Sequence, residues 1–409
     1  MLRSATITLP LTLLFLLLPP GALADSYKLL YRAELDPESG TANVEVKLEG
    51  EELPRKLSLN LSSGRYSDLE SDQPLEVSKD RALWRPEGSS ASLNYKFAIN
   101  NRKDSGSYDS RITKDWAILR SDKLIPSISA TGRGRSKAEL QLVLPEGWSS
   151  ELPYPEIGEH RYRLRDPGRR FVRPKGWMIA GRIGSRQDII AGIDTKVAAP
   201  LGQDVHRQDT LAFLNWNLPE LKKVFPRFPK QLLIVSADDP MWRGGLSGTR
   251  SLFMHADRPL ISGNRTSSTI HELVHVATGI SSGDKQSDWI VEGLAEFYAV
   301  EILRRSGGIS QRRYKETMDK LAEWGRETPT LLVKRSSGPI TARAAGVMRQ
   351  LDEEIREASG GAACIDDVAR GLAEKRGEVT LEGFRKLAEE AAGRPVKALD
   401  IGNLRDDDT

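Results

Sequence analysis

A single cysteine, Cys364, stands in a chain of 409 residues. One thiol excludes internal disulfides as staples, so stability must come from a packed core, for which the length suffices. Cys364 has no neighbouring His and precedes an apparent helix start. It reads as a small buried apolar residue rather than a nucleophile. An excess of charge of one sign is missing too. Sixty Lys and Arg against 57 Asp and Glu leave +3. That is no electrostatic footprint for nucleic acid, and the pI of 8.8 reads as a mixed, solvated surface. Histidine is scarce at five, so the place where two of them gather carries information.

The one long apolar run, Leu9–Leu18, is too short and wrongly flanked for an ordinary transmembrane span. Arg3 precedes it, Pro19-Pro20-Gly21 break it, and Ala22-Leu23-Ala24 gives a small-x-small cleavage pattern. Residues 1–24 therefore read as a secretory signal peptide whose removal leaves Asp25 first. Export to the periplasm or beyond follows, with no stable membrane insertion of the mature chain. An uncleaved anchor is the alternative.

Residues 25–195 are β-rich. Tyr27–Glu34 and Thr41–Glu49 have strand length and patterning around the turn cluster Asp36-Pro37-Glu38-Ser39-Gly40. Leu93–Ile99, Glu139–Leu144 and Trp177–Gly181 read alike, and the frequent turn signals predict an antiparallel β-sandwich. The character changes near residue 196. His206–Val224 has helical spacing, Gln231–Ser236 is a compact strand, Gly244–Gly248 reads as flexible, and Ser251–Ala256 as another strand. After Thr266 nearly everything is helical, through Leu381–Ala392 with Thr380 as its N-cap. The expected class is α+β and multidomain. The second domain covers 196–395, and residues 396–409 form a disordered acidic tail ending in Asp406-Asp407-Asp408.

The decisive stretch is His271-Glu272-Leu273-Val274-His275. Residues four apart share a helix face, so both imidazoles can address one ion. Glu272, one position on, projects beside the ion, where it can hold and deprotonate a water. Ser267 and Ser268 offer an N-cap, and Ile270, Leu273, Val274 and Ala277 an apolar flank. Catalytic zinc takes three protein ligands. His255, His206, His160 and several carboxylates are candidates for the third. Glu292, in Trp289-Ile290-Val291-Glu292-Gly293, is the best, because a helix–loop–helix hairpin returns it to the first helix. Glu296, one turn later, is placed to accept from the outer nitrogen of a ligating histidine. The cofactor implied is one Zn2+.

These residues resemble the gluzincin metallopeptidases, in the glycyl aminopeptidase and aminopeptidase N branches. Those families pair HExxH with a downstream W-[FIL]-x-E-G-[FL] segment. His271, Glu272 and His275 match the first part; Trp289, Glu292 and Gly293 match the second. Gln350–Arg356, Gly360-Gly361, Ile365–Val368 and Val379-Thr380 with Phe384 are similar to the helical tail of the glycyl aminopeptidase-like family. The resemblance covers roughly residues 200–395 and implies a thermolysin-like, mostly helical zinc-peptidase domain acting on a peptide or protein substrate. There are departures. The interval from His275 to Glu292 is short, and a PDZ module is absent. The family tyrosine that stabilises the oxyanion has Arg343 at its place, and the exopeptidase signature before the metal helix is not evident.

Arg343, His255 and Tyr314, in that order, are the candidate oxyanion donors. Strand Ser251–Ala256 is a candidate edge for pairing with an extended peptide. Two other readings stay open: a degenerate relative that only binds peptides, and a zinc hydrolase of a non-peptide bond.

Overall fold

The computed structural model describes residues 26–405. The expected signal peptide and Asp406–Asp408 lie outside the described residues. The chain is α+β, with its sheets concentrated before residue 255 and its helices after residue 266.

The first part is built on alternation. Ser26–Asp36 and Thr41–Glu49 bury every second side chain, Tyr27, Leu29, Tyr31 and Ala33 on one and Ala42, Val44, Val46 and Leu48 on the other. That period places one face of the sheet on a core and leaves the other wet. The seven-stranded sheet is not purely antiparallel, however. Ser26–Asp36 pairs antiparallel with Thr41–Glu49 and parallel with Arg135–Val143. Alternation marks a strand but is silent about a partner that far along the chain. Two further sheets of five and four strands complete this part. Its core gathers Trp84, Phe97, Tyr95, Leu119 and Met178, among others.

A five-stranded mixed sheet follows, in the order 183–190, 193–200, 231–237, 251–255, 245–248. Helix Arg207–Val224 is the crossover between the parallel strands Ile193–Pro200 and Gln231–Ala237. Strand Ser251–His255 is buried at every residue, as an interior strand covered on both faces must be. It lies between Gln231–Ala237 and Gly245–Gly248. The pairing edge expected at Ser251–Ala256 is therefore occupied. The Gly244–Gly248 stretch, read from sequence as flexible, instead supplies the outer strand of the sheet.

Helix Asp288–Arg305 is apolar nearly all round, which makes it the central helix of the second part. Its Gly293 admits close approach by helix Pro339–Ala358: a Cβ there would lie 2.6 Å from the Ala344 Cβ. Its far end is fixed by charge. Arg305 bonds Asp366 at 2.6 and 2.9 Å and Glu301 at 2.7 Å, and Tyr298 donates to Asp366 at 2.8 Å. Cys364 is the half-buried N-cap of helix Ile365–Lys375, not a core residue; its N–H donates to Asp367 at 3.0 Å. Residues 396–405 are not disordered. Val396, Ala398, Leu399 and Leu404 are buried in the helical core, and Leu331 N–H donates to Leu404 at 2.8 Å.

A third cluster joins the two parts. Trp116, Ile118, Trp177 and Ile179 from the first meet Leu233, Val235, Met241 and Phe253 from the mixed sheet.

Candidate metal centre

Helix Ser268–Thr278 starts where the Ser267 side chain accepts from Ile270 N–H at 3.3 Å and ends at Gly279 in the left-handed region. These are the N-cap and C-cap devices that fix helix length. Ile270, Leu273, Val274 and Ala277 are buried beneath it, which turns His271, Glu272 and His275 toward a half-buried face. Strand Ile280–Ser282 then pairs in parallel with Gly377–Val379 and leads through a short turn into helix Asp288–Arg305.

The hairpin brings Glu292 onto the imidazoles. Its carboxylate lies 3.2 Å from His271 Nε2 and 3.7 Å from His275 Nε2. The ligand atoms of all three residues fall within 4.8 Å of one another. Donor atoms about 2.1 Å from one tetrahedral ion stand about 3.4 Å apart, so this set fits a divalent ion of zinc's size. Glu296 Oε2 is 3.1 Å from His271 Nδ1. Accepting there, it fixes the tautomer that leaves Nε2 for a metal.

Electrostatics follow from burial and these contacts. Burial alone would lower His271, but the hydrogen bonds its protonated ring donates to Glu292 and Glu296 outweigh it and hold its pKa well above the usual histidine value. His275 has no such support. Burial and then the His271 charge push it down to about 4, so it is neutral and free to ligate at neutral pH. Burial raises Glu292, yet His271, His275 and Arg335 together bring it below the usual carboxylate range. Glu272 goes the other way. Burial raises its pKa, Glu292 adds to that, and His271 and Ser247 only partly oppose it. Two carboxylates in one site thus carry opposed shifts.

The other sequence candidates lie elsewhere. His255 is buried with Nδ1 accepting from Asp257 N–H at 3.2 Å and Nε2 3.5 Å from Asp239. Strand alternation puts it on the side of Phe253, opposite Leu252 and Met254, which pack into the helical core. Arg343 donates to the carbonyls of Thr328 at 2.7 Å and Asn403 at 3.1 Å. The structure thus spends its guanidinium on tying helix Pro339–Ala358 to the C-terminal segment. Tyr314 stacks under Arg304. His206 caps helix Arg207–Val224, and His160 meets Ser150 at 3.1 Å.

Sequence reasoning missed three residues. Ser247, on the outer strand, meets Glu272 through its N–H and hydroxyl, and Gly245 lies against the same side chain. No side-chain pattern marks that stretch as a strand. Arg335 sits beside Ser336, whose N–H donates to Asp288 at 2.6 Å, one turn before Glu292. No pattern in the sequence singles it out.

A helical domain thus stands behind a mixed sheet whose outer strand flanks the HExxH helix, and in this fold the chain is similar to solved aminopeptidase structures. Among solved structures the chain matches an aminopeptidase N family protein from Idiomarina loihiensis at 15% identity and a TM-score of 0.62, covering 85% of this chain and 70% of that one. It matches aminopeptidase A from Legionella pneumophila, solved with aspartic acid, at 13% identity and a TM-score of 0.57, covering 93% and 49%. It matches leukotriene A4 hydrolase from Saccharomyces cerevisiae at 13% identity and a TM-score of 0.54, covering 90% and 64%. The chain thus spans about half to two thirds of the last two proteins. No family model and no curated protein matches it.

Proposed function

We propose that this chain is an exported zinc-dependent peptidase in which His271, His275 and Glu292 hold one ion and Glu272 is the general base. The observation that carries the reading is the convergence of two imidazoles and a carboxylate within 4.8 Å, with a fourth group, Glu296, orienting one ligand. Export rests on residues 1–24. Among the described residues no helix is long and apolar enough to cross a membrane.

When bound, zinc would polarise the scissile carbonyl and acidify the attacking water. Glu272, with its pKa raised by burial, takes the water's proton as the new C–O bond forms. It then delivers that proton to the amine nitrogen as the C–N bond breaks. Ser247 and Gly245 hold the Glu272 carboxylate in place from the outer strand. The oxyanion needs a donor, and Arg335 is the cation whose charge reaches the site at Glu292. Gly245-Leu246-Ser247-Gly248 carries no carboxylate to hold a free α-amine, which favours chains whose amino side continues past the site.

The test pairs metal content with peptide hydrolysis. Wild type and Glu272→Gln are expected to hold one zinc per chain, and His271→Ala and Glu292→Ala to lose it. Hydrolysis by Glu272→Gln should fall by about 10²–10⁴-fold. Equal hydrolysis by wild type and Glu272→Gln would remove the proposed chemistry.

A further inference from the structure

The outer strand has a second neighbour besides Glu272. Trp177 Nε1 donates to the Leu246 carbonyl at 2.8 Å, and Arg120 Nη1 lies 3.5 Å from the Ser247 carbonyl. Both donors come from the β-rich first part of the chain. Ser247 is therefore touched from one side by the proposed base and from the other by Arg120. Beyond it opens a cavity of about 290 Å³ lined by Arg65, Lys103, Arg120, Lys123, Trp177 and Leu246.

The charges of this cavity do not balance. Four cations line it, and Asp109 is the one carboxylate among its lining residues. Lys103 pairs with Asp109 at 2.5 Å, and Arg120 with Asp122 at 2.8 Å. Arg65 is held by carbonyls and a hydroxyl: Ala98 at 2.8 Å, Ile99 at 2.5 Å and Ser110 Oγ at 2.7 Å. Its guanidinium also lies 4.4 Å from the Phe97 ring centre. These contacts fix its orientation without neutralising it. Lys123 is exposed, and neither Arg65 nor Lys123 forms an ion pair among the described residues. Asp109, already paired with Lys103, is the carboxylate whose charge reaches Arg65, so one carboxylate serves two cations and an added anion would complete the set.

We propose that this cavity binds a carboxylate of the peptide substrate, within a residue or two of the scissile bond. The distance scale carries the placement. An extended peptide advances about 3.3 Å per residue. Ser247 already spans from Glu272 to Arg120, so a carboxylate one or two residues from the cleaved bond reaches the cavity at Arg120. An acidic side chain is the occupant that a peptide continuing past the site would present. The proposal rests on the peptidase reading above.

The zinc-loaded Glu272→Gln protein binds without turnover and serves as the binding reagent. Three peptides of equal length are compared by calorimetry. One carries a central Asp or Glu with both ends blocked. One is neutral with both ends blocked. One is neutral with a free C-terminal carboxylate. A charge-assisted contact is expected to favour the acidic peptide over the blocked neutral one by about 10- to 100-fold. The ratio should fall towards one in Arg65→Gln/Lys123→Gln, and partly in Lys123→Gln alone, whose exposed site leaves folding untouched. A preference for the free C-terminus instead would make the terminal carboxylate the occupant and overturn the side-chain assignment. Equal binding of all three, or a ratio unchanged in the double variant, overturns the cavity's role while leaving the peptidase reading standing. Binding of none, together with no hydrolysis by wild type, overturns both.

Discussion

Gly245→Ala isolates the base from the metal. A Cβ at this position would stand 2.6 Å from Glu272 Cγ, 2.7 Å from its Oε1 and 3.0 Å from its Cδ. Carbon atoms at rest keep about 3.5–4.0 Å, so the carboxylate must retreat by about 1 Å. Gly245 is not among the residues with positive φ, so alanine costs the strand no backbone strain. The three heavy atoms nearest the new methyl all belong to Glu272. A misplacement of about 1 Å in a reacting group costs about 10²-fold in rate. The expected outcome is kcat/KM reduced by about 10- to 100-fold, with zinc content and Tm near wild type. The assay is hydrolysis of one peptide beside metal analysis and a thermal melt on the same preparation. Wild-type activity in a folded, zinc-loaded Gly245→Ala protein would refute the claim that the outer strand positions Glu272 for catalysis.

Two further outcomes concern stability. Gly293→Ala drives a methyl to 2.6 Å from the Ala344 Cβ and 3.0 Å from its carbonyl carbon, and overpacking of this kind costs about 1–3 kcal/mol. A lower Tm with weaker zinc retention is expected, since Glu292 is the adjacent residue; an unchanged melt would mean that the two helices have slack. Asp366→Ala strands Arg305 beside Glu301 alone and should cost about 3–5 kcal/mol at neutral pH by denaturant titration. Burial opposes the Asp366 charge, but Arg305 outweighs it and holds the carboxyl below the usual range. A depressed folded-state pKa gives stability that is present above the unfolded value, about 3.9, and is lost as pH falls through the folded one. The gap between wild type and Asp366→Asn should accordingly close in acid; a gap constant from pH 7 to pH 2 would contradict the pairing.

The ion site was legible because its information is local. A spacing of four puts His271 and His275 on one face, and a short interval returns Glu292 and Glu296 to that face. What surrounds the site was not legible, because it is set by distant segments. Arg343 stands where the resemblance read from the sequence would place an oxyanion-stabilising tyrosine, yet it donates to the carbonyls of Thr328 and Asn403. His255 sits on the expected strand, but the alternation that aims it away from the ion site depends on which sheet face the helices cover. The glycine-rich stretch at Gly245–Gly248 has no side-chain pattern to announce a strand. Its order comes from Ser251–His255 on one side and from Trp177 on the other. The parallel pairing of Ser26–Asp36 with Arg135–Val143, and the burial of Leu399 and Leu404, are likewise contacts between remote segments, which periodicity alone cannot announce.

The pairing of Ile280–Ser282 with Gly377–Val379 ties the turn between the two ligand-bearing helices to a segment far downstream. His271, His275 and Glu292 have all been synthesised once Glu292 leaves the ribosome, but this clasp closes only after Val379. A growing chain therefore holds the three side chains of the candidate ion site before the strand pairing that braces the turn between their helices.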